Sequence, residues 1–106
     1  MVAELTVRLK RVDARGTIVT SRASSSAAGG HDVVSRFFAP RAGIDEDPVT
    51  GSAHCTIAPY WSGKLGRDTI LGWQASARGG EVRMRVAGDR VVLGGRAVTV
   101  LSGELL

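Results

Sequence analysis

Between Ile44 and His54 the chain reads IDEDPVTGSAH, which gathers three carboxylates, a proline, two hydroxyls, a glycine and a histidine into eleven residues. A loop that ends in Thr-Gly-Ser at a helix start leaves backbone N–H groups without intrahelical acceptors, and glycine lets a ligand approach that backbone closely. Together with the helix dipole this offers a place for a carboxylate or phosphate. The amides of Gly51, Ser52 and Ala53 would donate, and the Thr50 or Ser52 hydroxyl would assist. Asp47 precedes Pro48 and therefore favours an extended backbone, from which its side chain projects across the helix mouth. Three adjacent carboxylates repel an anion, so the site requires Asp45 and Glu46 to face solvent or Asp47 to be protonated. The alternative needs no ligand, because acidic residues ahead of a helix stabilise it by ~0.3–1 kcal/mol through the dipole.

The neighbouring groups each carry two readings. His54 falls in the first turn, where it either relays a proton or packs as a neutral imidazole whose charged form the helix N-terminus disfavours. Cys55 is the single cysteine, so no internal disulfide forms, and inside a helix it fits a small buried apolar residue as well as a nucleophile. His31 sits in a Gly- and Ser-rich loop. Two isolated histidines and one cysteine do not make a metal site. Arg36, beside Phe37 and Phe38, and Arg78, ahead of Gly79-Gly80, are placed to hold a carboxylate bidentately or to sit on a surface or sheet edge.

These groups need elements to position them. In residues 1–12, Val2, Leu5, Leu9 and Val12 keep helical spacing while Leu5, Val7 and Leu9 alternate as a strand would, and of the two a short helix is the expectation. GTIVTSR, Gly16 to Arg22, is β-branched and predicts a strand. Ser24 to Asp32 reads as a flexible loop, and VVSRFFA, Val33 to Ala39, as a strand ended by Pro40. RAGIDEDPVTG forms a long irregular connection after it. A helix is predicted from Gly51 or Ser52, capped by the Thr50 or Ser52 hydroxyl, to Gly66, kinked at Pro59. Three or four antiparallel strands come next, in TILGWQASA, GGEVRMRVAG and DRVVLGGRAVTVLSG, with turns at Gly79-Gly80 and Gly88-Asp89. In EVRMRV the apolar Val82, Met84 and Val86 alternate with Arg83 and Arg85, as in a sheet with one wet face. Trp61, Trp73, Tyr60, Phe37 and Phe38 are core candidates. The expected class is α+β, an antiparallel sheet curved around one central helix, in a single domain covering 1–106.

The chain's 106 residues make one ordinary domain, with 43% hydrophobic and 23% charged residues, so wholesale disorder and collagen-like structure are disfavoured. No apolar run approaches the ~18 residues a bilayer requires, and Glu4, Arg8 and Lys10 interrupt the region where a signal peptide needs an apolar stretch, so no membrane association and a cytoplasmic location are expected. The net charge is +4, yet the fourteen basic residues, twelve of them arginine, are interleaved with acidic ones. With five aromatic residues and no basic block, a nucleic-acid surface is not expected.

Three segments carry a family resemblance: SRFFAPRAGIDEDPVTGSAHCTIAPYWSGKLG, QASARGGEVRMRV and GGRAVTVLSGEL. Together they resemble the second half of PhzF-like proteins, the phenazine-biosynthesis isomerase/epimerase family within the diaminopimelate epimerase-like fold, from about Arg15 to the end. The resemblance implies two similar halves, each a sheet rolled around a central helix, with the active site where the helices meet. Carried over, the site-lining residues are Asp47, Gly51 and Ser52. Family isomerases move a proton or hydrogen next to a carboxylate-bearing carbon without metal or organic cofactor, using a glutamate from the first half as general acid/base. That glutamate motif is not in this sequence. The expectation is therefore an isomerase domain acting on a small carboxylate-bearing substrate and incomplete alone, its acid/base supplied by a second copy or a partner half-domain. Epimerases of the fold carry a catalytic cysteine just ahead of their glycine, whereas Cys55 comes after Gly51, so no thiol mechanism is implied. The contrasting expectation is a non-catalytic, truncated or oligomerising module.

Overall fold

A computed structural model describes residues 2–24 and 29–106. The order of elements is α1 (Val2–Leu9), β1 (Thr17–Arg22), β2 (Val33–Phe38), a short 3-10 turn (Pro40–Ala42), α2 (Gly51–Leu65), β3 (Thr69–Gln74), β4 (Gly80–Ala87) and β5 (Arg90–Gly94). The expected loop from Ser24 to Asp32 lies partly outside the described residues, at 25–28. The class is α+β, and the five strands form one sheet in sequence order.

The sheet is mixed rather than antiparallel. β1–β2, β3–β4 and β4–β5 pair antiparallel, but β2 and β3 run parallel, with Val33, Val34 and Ser35 opposite Gly72, Trp73 and Gln74. The physical cause is α2. A helix of 15 residues rises about 22 Å, close to the ~20 Å of a six-residue strand, so it returns the chain to the end where β2 began and the next strand must run the same way. A single βαβ crossover thus sits inside a sheet otherwise built from neighbouring antiparallel pairs.

α2 buries Ala53, His54, Ile57, Ala58 and Trp61, the i, i+4, i+8 stripe of one helical face. The sheet answers with alternating positions: Val33, Ser35 and Phe37 on β2, Ile70 and Gln74 on β3, Val82 and Met84 on β4. Arg83 and Arg85 point the other way and are exposed, as the period-2 pattern predicts. Trp61 Nε1 donates to Thr20 Oγ1 at 2.9 Å, tying the far end of α2 to β1. Gly66 closes the helix at φ 69°, its N–H donating to Ser62 O, a left-handed C-cap that glycine adopts without a Cβ clash.

Three further expectations are corrected. Thr50 is the N-cap by backbone geometry but makes no side-chain cap hydrogen bond, because its hydroxyl is committed to Asp47. Tyr60 is 53% exposed, lying edge-on to Trp61 outside the core. Residues 95–106 form neither helix nor strand and are exposed throughout, since β5 ends at Gly94 and no described strand pairs with the residues beyond it. Pro59 lies within α2, which runs as one helix from Gly51 to Leu65.

Candidate active site

The start of α2 is built from three chain segments that meet over one glutamine. Gln74 is fully buried. Its Oε1 accepts the Thr50 N–H at 2.7 Å, while its Nε2 donates to Asp47 O at 2.8 Å and to Thr50 Oγ1 at 3.1 Å. The Thr50 hydroxyl donates to Asp47 Oδ2 at 2.5 Å, and Asp47 N donates to Phe37 O. Sequence reasoning missed Gln74. The signal was present in the β3 alternation Ile70-Gly72-Gln74, which places it on the core face under the helix start.

With Thr50 turned back onto Asp47, the first-turn amides of Gly51, Ser52 and Ala53 receive no side-chain cap from it and precede the first intrahelical acceptor. Gly51 and Ser52 are exposed, Ala53 is buried, and Ser52 Oγ accepts from Arg15 Nη2 at 3.0 Å. Beside Gly51 opens a cleft of about 440 Å³ whose walls include Val49, Arg78, Gly80, Glu81 and Arg96, a volume in the small-molecule range. The structure brings Asp47, Thr50, Gly51 and Ser52 into one turn, although the Asp47 carboxylate bonds to Thr50 and is not part of the cleft wall.

The crowding of negative charge is relieved by Arg36. Its Nε and Nη2 donate to Glu46 Oε1 and Oε2 at 2.8 and 2.9 Å, a bidentate pair that holds the Glu46 carboxyl below its ordinary range through the hydrogen bonds it receives. Arg36 therefore grips an internal carboxylate, with its guanidinium 4.9 Å above the Phe38 ring. Asp45 is exposed.

His54 lies on the sheet side of α2, 1% exposed. Its Nδ1–H donates to Thr50 O at 2.6 Å, which fixes the neutral tautomer and leaves Nε2 as a buried atom without a partner among the described residues. Burial lowers its pKa, opposed by the hydrogen bond to Thr50. Cys55 is exposed rather than a buried small residue, its thiol facing Gly51 O. Among the described residues no three His, Cys, Asp or Glu side chains are placed to share a metal ion.

His31, which carried no signal in the sequence, is anchored. Its Nε2 lies 3.0 Å from Glu81 Oε2, and its ring packs at 5.2 Å on Trp73. The loop between β3 and β4 is pinned to the helix start as well, since Ser76 Oγ donates to Pro48 O and accepts from Gly79 N. Gly80 permits this closeness, because a Cβ there would lie 2.1 Å from Val49 Cγ2.

Residues 1–103 match the family described as "Phenazine biosynthesis-like protein" (PhzC-PhzF). The chain is 51% identical over 98 residues to an uncharacterized isomerase of Halalkalibacterium halodurans, covering 92% of this chain and 36% of that protein. It is 43% identical over 93 residues to a phenazine biosynthesis-like domain-containing protein of Rattus norvegicus, covering 86% and 32%. A solved phenazine biosynthesis protein of the PhzF family from Enterococcus faecalis superposes with a TM-score of 0.77 at 42% identity, over 85% of this chain and 33% of that one. The chain thus spans about a third of the length of the curated relatives it matches. Those matches place it in the phenazine biosynthesis-like PhzC-PhzF family.

Proposed function

We propose that the chain is the carboxylate-binding part of an isomerase that relocates a proton or hydrogen next to a carboxylate-bearing carbon. The observation that carries this reading is the uncapped first turn of α2 opening beside a cleft of about 440 Å³. The substrate carboxylate lies on the Gly51, Ser52 and Ala53 N–H groups, with the helix dipole favouring its charge. As the neighbouring proton leaves, negative charge moves onto the carboxylate oxygens, and preset donors lower its energy, each worth ~3 kcal/mol in comparable sites. Asp47 and Thr50 form the relay beside the cleft, the hydroxyl donating to the carboxylate. His54 is a positioning residue, since its Nδ1–H holds the Thr50 carbonyl from beneath.

In this reading the sheet curves around α2 as one half of a diaminopimelate epimerase-like fold, and the protein works in the cytoplasm. The general acid/base comes from a partner half-domain or a second copy. Isomerase names among the relatives and the third of their length that this chain spans support that division of labour.

The test is solvent exchange in heavy water, with a panel of hydroxy and unsaturated carboxylates offered to the chain alone and to the chain mixed with the remaining portion of a full-length relative. Deuterium is expected next to the carboxylate only in the mixture, and Asp47→Asn lowers the rate about 100-fold. Equal labelling with and without the added portion would defeat the proposal. A second reading, an oligomerising module, is favoured by the exposure of Val98, Val100 and Leu101 at 85%, 92% and 87%. Sedimentation of the chain together with the exchange assay separates the two.

A further inference from the structure

The residues after β5 have the composition of a strand and no strand to pair with. Residues 96–101, Arg-Ala-Val-Thr-Val-Leu, hold three β-branched side chains and a leucine, a run suited to a pleated surface, yet they belong to no described strand and are exposed. β5 itself stands at one edge of the sheet, so the outward row of its backbone N–H and C=O groups has no neighbouring strand, and an open edge of this kind is a template for another chain. Two charges flank the apolar run, Arg96 before it and Glu104 after it. Among the described residues neither belongs to an ion pair.

The segment is complementary to itself. Arg96 and Glu104 each stand four residues from Val100, so an antiparallel pair of these segments with a two-fold axis at Val100 sets Arg96 of each chain opposite Glu104 of the other. Because side chains alternate between faces, both charged pairs fall on the face that carries Val98 and Val100. That face then holds four valines from two chains with an Arg–Glu pair at either end, an apolar centre with a charged rim. The opposite face pairs Thr99 with Leu101, and Ala97 with Gly103. Leu105 of one copy lies opposite Gly95 of the other, where a Cβ has open space around it, and has the exposed Leu93 as its diagonal neighbour. The ladder can thus run on from the tail onto the free edge of β5.

We propose that the partner of this surface is a second copy of the chain, the two copies joined through residues 96–104 paired antiparallel about Val100. The arrangement is isologous and closed, so it stops at a dimer. An unrelated strand could satisfy the backbone groups equally well, but the placement of opposite charges at equal distances from one residue fits the segment to its own copy. This deepens the oligomerising reading of the chain, on which it rests, and leaves the start of α2 outside the contact.

Sedimentation equilibrium of charge-reversed variants tests it. The unaltered chain is expected to show a monomer–dimer equilibrium, and Arg96→Glu or Glu104→Arg alone, which sets like charges opposite each other at both ends, weakens it about tenfold. Mixing the two variants restores association as a heterodimer, because every facing pair is then again of opposite sign. The register is read separately in a Cys55→Ser background: Val100→Cys oxidises to a covalent dimer across the axis, whereas Val98→Cys, which faces Ser102, does not. Association that neither reversal weakens would overturn the tail pairing while leaving the oligomerising reading in place. Charge-reversed variants that fail to associate when mixed would overturn the antiparallel register, and a chain that stays monomeric at every concentration would overturn both the pairing and the reading beneath it.

Discussion

Gln74 satisfies the Thr50 N–H and the Asp47 carbonyl at the α2 entrance and gives the Thr50 hydroxyl a second partner besides Asp47. Replacing it with leucine strands the Thr50 N–H and the Asp47 carbonyl, at a cost of about 3 kcal/mol read as a lower urea midpoint. His54 makes the opposite kind of contribution. Its folded-state pKa is below the ordinary 6.5 because burial disfavours the charged form, so the unfolded chain takes up the proton first as pH falls. Stability should therefore decline below pH ~6.5, and His54→Met should flatten the curve between pH ~7 and ~5 in thermal melts. Glu46 acts in a lower window: its carboxyl, held down by Arg36 from an ordinary 4.5, contributes above that value and is lost as pH falls through the lowered one. Arg36→Met frees the Glu46 charge beside the helix start. Affinity of the helix start for a simple monocarboxylate such as valerate should then fall severalfold, and more so at low ionic strength.

At the level of strands and helices, the loop before α2 and the loop after β3 are one packed unit. Gly80 sits where any Cβ would strike Val49, so Gly80→Ala should destabilise by about 2 kcal/mol, and Val49→Ala should recover part of that loss in a double-mutant cycle. Both helices, all five strands and the outward arginines of β4 were legible from periodicity and turn residues, as was the Gly66 helix end. The direction of β3 was not. Nothing in TILGWQ encodes whether it lies beside β2 or at an edge, because that depends on how far a helix carries the chain across the sheet. The helix start at the Thr-Gly-Ser turn was legible, whereas the capping role expected of Thr50 failed because the hydroxyl has a nearer acceptor in Asp47. The roles of Gln74 and His31 escaped notice for a common reason. Each acts through a residue more than twenty positions away in the chain, beyond the reach of spacing arguments.

The molecule as a whole exposes Val98, Val100, Leu101, Leu105 and Leu106 beyond the last strand, a concentration of apolar surface that a lone soluble chain rarely carries. Substituting lysine at Val98, Val100 and Leu101 should shift sedimentation towards the monomer if that segment drives association. Among the described residues no helix is long and apolar enough to cross a membrane. The crossover has a kinetic consequence. Every neighbouring strand pair except β2–β3 joins segments close in sequence, so the sheet divides into a two-stranded and a three-stranded portion that can each zip locally. The seam between them closes only after the intervening stretch with α2 has settled, which makes it the slow event of refolding and the first line to open. In native-state hydrogen exchange the amides along Gly72 to Gln74 that face β2 should lose protection before those facing β4. A chain nicked between Gly43 and Asp45 should reassemble from its two pieces along that same line.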